Sequence, residues 1–151
     1  MLSCFGDNNA TITANATTGG QGTNYTFTLN MLSPTVSSSG PQSSNVFSNL
    51  GAGTYQVVVT DGYNCEFISA NVVIDQPTEV EASLVAASTP TCTVDATLTL
   101  SAIGGTGTYT YSNDQTFTTI LGTFTTSTTF SVTPGTYQYY VRDSNGCVAN
   151  V

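Results

Sequence analysis

The chain has 151 residues, only 7% of them charged, with a single cation (Arg142), no histidine and a net charge of −8. Such an acidic surface repels phosphate backbones and anionic lipid, which argues against nucleic-acid and membrane-surface partners. With a hydrophobic content of 39%, the composition is not that of a disordered, charge-rich chain.

No apolar run approaches the roughly 20 residues needed to span a bilayer. Met1-Leu2-Ser3-Cys4 lacks the basic start and apolar core of a secretory leader, so any export signal is expected elsewhere on a longer chain. Thr-rich segments alternating with Val, Tyr and Phe favour strands, and no window carries the period of an amphipathic helix.

In chain order, residues 1–9 are turn-like and Ala10–Ala16 is the first predicted strand, with Ile12 and Ala14 alternating with Thr. Gly19-Gly20-Gln21-Gly22 breaks it, and Tyr25–Leu29 resumes the alternation. Residues 33–45, rich in Ser, Pro and Gly, read as a long loop. Val46–Leu50 and Tyr55–Thr60 are strands separated by Gly51-Ala52-Gly53. Asp61-Gly62 opens a hairpin turn, and Glu66–Ile74 returns with Ile68, Ala70, Val72 and Ile74 on one face. Residues 75–78 form a linker. Val80–Ala86 and Ala96–Ala102 are strands, the latter with Leu98 and Leu100 inward. Gly104-Gly105-Thr106-Gly107 and Tyr109-Thr110-Tyr111 follow, then strands at Thr118–Phe124, Thr128–Val132 and Tyr137–Asp143.

Gly53–Cys65 returns 82 positions later as Gly135–Cys147, each reading GTYxxxVxDxxxC. Glycine clusters and Tyr-x-aromatic pairs recur in the same order, which marks a tandem repeat. Two units are expected, 1–76 and 77–151. About seven short strands each and turn signals every 8–12 residues predict an all-β chain of two tandem immunoglobulin-like antiparallel β-sandwiches. The second unit has an opening strand that the first lacks. The first has a closing strand that the second barely begins. The chain is therefore expected to be out of phase with its domains, either a fragment of a longer array or one whose ends neighbouring chains complete.

The order Cys4-Phe5-Gly6, Gly19-Gly20, Tyr25-Thr26-Phe27, Leu50 and Gly53–Cys65 resembles the SprB repeat. The second unit follows with Cys92, Gly104-Gly105, Tyr109-Thr110-Tyr111 and Gly135–Cys147. It departs in having Val94 where the first has Gly6, and Leu29 and Asn113 stand where the family often has Trp. The resemblance implies a repeat of Bacteroidetes gliding-motility adhesins, exported by the type IX system to the cell surface. It supplies no catalytic residues. Its implied partners are neighbouring repeats or copies, and surface polysaccharide.

Four cysteines fall one pair per unit, Cys4 with Cys65 and Cys92 with Cys147. Without His or a CxxC they read as disulfide candidates and not as a zinc site. In-repeat pairing closes each unit. Pairing across repeats, Cys4 with Cys147, leaves Cys65 and Cys92 for absent neighbours. Reduced thiols are the third alternative.

Asp7, Asp61 and Asp143 sit in Asp/Asn/Gly turns whose oxygens are of the kind calcium uses, although Asx turns account for them more simply. No other cofactor is indicated. Glu79 and Glu81 read as an exposed strand edge. A hydroxyl nucleophile needs a base, and the chain offers neither His nor Lys, so no enzyme is expected. Asn9, Asn15 and Asn24 begin N-x-Thr sequons that a Thr-rich chain readily contains. Phe5, Tyr63 and Tyr140 are candidates for a glycan or repeat-contact surface. The alternatives to an adhesin or stalk segment are a filament subunit assembled by strand exchange and, less favoured, a carbohydrate-binding module.

Overall fold

A computed structural model of the chain describes residues 1–15, 19–20, 24–91 and 94–150. It is all-β, and every pairing in it is antiparallel. Two compact units emerge. One comprises Met1–Leu2 and Gly6–Gln76, the other Ser3–Phe5 and Pro77–Val151.

In the first unit, β1 (Ala10–Thr13) pairs with β4 (Val46–Leu50). The larger sheet runs in the order β3 (Ser37–Gln42), β2 (Thr26–Ser33), β5 (Gly53–Thr60), β6 (Glu66–Ile68), and β7 (Val72–Ile74) also pairs with β5. Alternation along β2 and β5 sends Phe27, Leu29, Tyr55 and Val57 inward, where they meet Ile12 and Phe47 of the smaller sheet. Burying such side chains is worth about 1.5–3 kcal/mol each. This is the two-layer arrangement that period-2 strands demand.

The second unit repeats the plan. Its larger sheet runs β11 (Gly122–Phe124), β10 (Tyr109–Ser112), β13 (Tyr140–Asp143), β14 (Val148–Asn150), while β9 (Ala96–Ile103) lies between β12 (Ser127–Val132) and β8 (Glu81–Ala86). Leu100 and Val141 are wholly buried at its centre. An aromatic ladder lines the same core. Tyr111 stacks on Phe130 at 5.7 Å, and Phe130 meets Tyr139 edge-on at 5.0 Å.

Several sequence expectations need correction. The Ser/Pro/Gly stretch expected as a loop contains β3. Its backbone hydrogen-bonds to β2 through pairs such as Leu29 with Ser39, so tertiary pairing overrides poor local propensity,. The expected continuous return strand is two strands, β6 and β7, interrupted where Ser69 turns its hydroxyl to the Val57 amide at 2.9 Å. Only Ile74 of its supposed apolar face is buried. Ile68 and Val72 are exposed. The strands expected from Thr118 and Tyr137 begin only at Gly122 and Tyr140. Asp114 explains the first of these. Its carboxylate takes the amides of Thr116 and Thr118 and both their hydroxyls, closing a compact loop and holding its pKa well below the usual carboxylate range,.

Tyr55 and Tyr137 each donate a hydroxyl hydrogen bond to the carbonyl four residues upstream, Gly51 at 3.0 Å and Thr133 at 2.7 Å. Tying that turn to the strand gives the repeated GTY motif its structural use.

Replacing Leu100 with Ala is expected to cost about 2–5 kcal/mol in urea unfolding. Ile103→Ala, on the same strand but 66% exposed, is expected to stay within about 0.5 kcal/mol,. Burial pushes the phenols of Tyr55, Tyr109 and Tyr139 above their ordinary 10.0, with Asp143 adding to the effect at Tyr109. The unfolded chain therefore ionises first. Stability from these groups is complete below pH 10 and is lost as pH rises through the folded values. Thermal melts at pH 9 to 12 are expected to show a falling midpoint, with Tyr109→Phe flattening the fall in the second unit.

Candidate functional site

The residues that recur between the units converge on one junction. In the second unit Asp143, at the end of β13, is buried. One carboxylate oxygen accepts the amides of Asn145 and Cys147 at 2.9 Å each, and the other accepts Thr106 N–H at 3.0 Å. The Asp143 amide donates to Cys147 O, and Gly146 N–H donates to Asp143 O, with Gly146 at a φ of 86°. This is an Asx-stabilised turn in which the positive φ suits glycine. Tyr109 reaches across to donate to Gly104 O at 2.7 Å, and Gly105 N–H donates to Thr78 O at 3.0 Å.

The first unit builds the same junction. One Asp61 oxygen accepts Tyr63 N–H at 2.9 Å and Cys65 N–H at 2.8 Å, and Tyr25 donates to Gly19 O at 2.7 Å. Asn64, at a φ of 64°, stands where Gly146 stands. Asp61 and Asp143, two of the three aspartates considered for calcium, thus have carboxylate oxygens engaged by turn amides. Asp7 is approached by the Asn9 side chain at 3.5 Å. Among the described residues no three of His, Cys, Asp and Glu gather as a metal would require.

Cys4 is disulfide-bonded to Cys147, with Cα atoms 5.5 Å apart. This is the pairing across repeats. Ser3–Phe5 belongs to the second unit, and Asn145 Nδ2 donates to Ser3 O at 3.1 Å beside the bond. In-repeat closure of Cys4 onto Cys65 does not form. Cys65 is free and exposed, and Cys92 lies outside the described residues, as do parts of the first strand and glycine cluster. In the chain-entropy view, a loop of 143 residues constrains the unfolded chain by about 5 kcal/mol.

The aromatic candidates differ from one another. Phe5 is 50% and Tyr63 70% exposed, whereas Tyr140 is half-buried and its neighbour Tyr139 is a core residue. Glu79 and Glu81 are both exposed, on either side of the buried Val80. Asn9, Asn15 and Asn24 lie on or beside surface loops. Sequence reasoning missed the partner of the lone cation. The Arg142 guanidinium lies 4.5 Å from the centre of the Phe117 ring, a cation–π contact that strand periodicity does not reveal.

Asp143→Ala strips an acceptor from three amides and is expected to cost the second unit about 2–5 kcal/mol. Asp143→Asn, which keeps one carbonyl oxygen, should cost less. Denaturant unfolding of the two variants checks the order.

No curated protein matches the chain. Residues 2–33 match the family model of the SprB repeat, a family of structural, cell-surface adhesin-type repeats and not of enzymes. The matched segment runs from Leu2 through the Cys4-Phe5-Gly6 turn and the glycine cluster to the end of β2, so the likeness covers the opening stretch of the chain.

Proposed function

We propose that the chain is a non-catalytic repeat segment of a secreted bacterial cell-surface adhesin or stalk serving adhesion and gliding motility. Each sandwich acts as a rigid spacer whose weak contacts are summed by repetition. One observation carries this reading. The same strand order and the same Asp–Tyr–Gly junction are built twice along a chain that carries a SprB repeat. The Cys4–Cys147 disulfide supports an extracellular, oxidising location reached by type IX export,. Partners are neighbouring repeats or copies and surface polysaccharide, met by exposed aromatics such as Phe5 and Tyr63 among hydroxyls and amides. The proposal includes no cofactor, with calcium at the aspartate turns as its alternative.

A filament subunit completed by strand exchange is the second reading, and the two-stranded β1–β4 sheet favours it,. Polymer formation by the isolated chain in analytical ultracentrifugation would support that reading in place of the first.

Beads bearing many copies of the chain are expected to hold a polysaccharide-coated surface at least about 100-fold more strongly than the free monomer does. Equal retention of both would count against multivalent adhesion. Tight monovalent binding to one glycan would point to a carbohydrate-binding module.

A further inference from the structure

The two units differ at one place in a way that identifies a missing component. In the second unit the junction of Gly104, Gly105, Tyr109 and Asp143 is covered by Thr78-Glu79-Val80. Thr78 O accepts the Gly105 amide, and a Cβ on Gly104 would land on the Glu79 carbonyl oxygen. A Cβ on Gly105 would meet the Val80 side chain. Val80 is buried in the core, and the segment continues into β8, which pairs along β9.

Among the described residues, the first unit has the same junction without the cover. A Cβ on Gly19, the counterpart of Gly104, would meet nothing within 4 Å, and one on Gly20 would meet only Asp61. A cleft of about 440 Å³ opens there, lined by Gly19, Gly20, Tyr25, Asp61, Cys65 and Phe67. Each lining group is more exposed than its counterpart. Phe67 is 68% exposed and its counterpart Ala149 6%. Tyr25 is half-buried where Tyr109 is buried, and Cys65 is exposed where Cys147 is buried. Beside the cleft, β1 pairs, among the described residues, with β4 alone, whereas β9 has strands on both sides.

We infer that this cleft and the free edge of β1 receive an extended strand of the Thr78–Ala86 type, contributed by another repeat of the same kind. The second unit specifies its chemistry. A carbonyl faces the glycine pair, a β-branched apolar side chain fills the cleft over Asp61 and Phe67, and alternating small and apolar residues pair along β1. Phe67 is then a docking residue and not a stray surface aromatic. The inference rests on the tandem-repeat reading and adds how one repeat completes the next.

The test uses the full chain with a synthetic peptide of residues 77–87. In parallel, the same segment is placed ahead of Met1 on a flexible Gly/Ser linker of about 12 residues. Cys65 alkylation by iodoacetamide, read by peptide mapping, is expected to slow at least tenfold in the extended chain, and to slow saturably with free peptide. Asp at the position matching Val80 in the added segment should restore the rate, as should Phe67→Asp in the chain. Unchanged alkylation in both formats overturns the inference, as does protection that survives both substitutions. A concentration-dependent dimer of the unextended chain with Cys65 protected would assign the cleft to a second copy and overturn the assignment to a further repeat. Adhesion is read separately. Lost protection with multivalent retention intact overturns only the cleft, and lost retention with protection intact overturns only the adhesive reading.

Discussion

A buried aspartate carboxylate held by backbone amides organises each sandwich. Asp143 has no cation beside it, because the one arginine of the chain lies over Phe117. Its charge is met by three amide N–H groups instead. Hydrogen bonds to an ionised acceptor are roughly twice as strong as neutral ones, so a chain with almost no basic residues can still use an acid internally. The same oxygens fix the glycine-cluster turn, the start of the last hairpin and the cysteine amide. Asp61 holds the corresponding hairpin in the first unit. The aspartate turn thus holds the Cys147 amide while the cysteine side chain packs in the core.

Around this constant feature the two cores diverge. The first relies on Phe27, Leu29, Tyr55 and Val57 with Ile12 and Phe47. The second adds the ladder of Tyr111, Phe130 and Tyr139, whose edge and stacked contacts fit the ring quadrupoles,. A shared scaffold with different fillings is what a repeat tolerates, since cores accept substitution where volume and pattern are kept. The turn chemistry is less free. Gly104 and Gly105 both have positive φ, and each is closely approached, Gly104 by the Glu79 backbone and Gly105 by the Asp143 and Val80 side chains.

The disulfide gives these local features a wider consequence. It joins the Ser3–Phe5 segment to the last hairpin of the second unit, so a residue near the start of the first repeat in sequence is covalently part of the second. In an array of such repeats, bonds of this register would resist unfolding of a repeat under load, because the constrained loop is longer than the domain itself. That property would suit the proposed role of a repeat that bears load.

The residues alone determined a good deal. Thr alternating with Val, Tyr and Phe specified strands, because period-2 burial is a local property. The GTYxxxVxDxxxC recurrence marked the tandem repeat and located the late strand of the first unit, whereas in the second that strand begins only at Tyr140. Recurrence also held a clue that went unread. Phe67 aligns with Ala149 across the same 82-residue offset, and a large aromatic opposite a buried alanine signals a difference in what covers them. Other features belonged to the tertiary structure. β3 forms from an unpromising Ser/Pro/Gly stretch because β2 offers it an edge. The return strand breaks because Ser69 intercepts the Val57 amide. Cysteine pairing lay beyond sequence for the same reason. A disulfide depends on two Cα atoms brought within about 7 Å, a distance that spacing along the chain does not encode and that only packed sheets set.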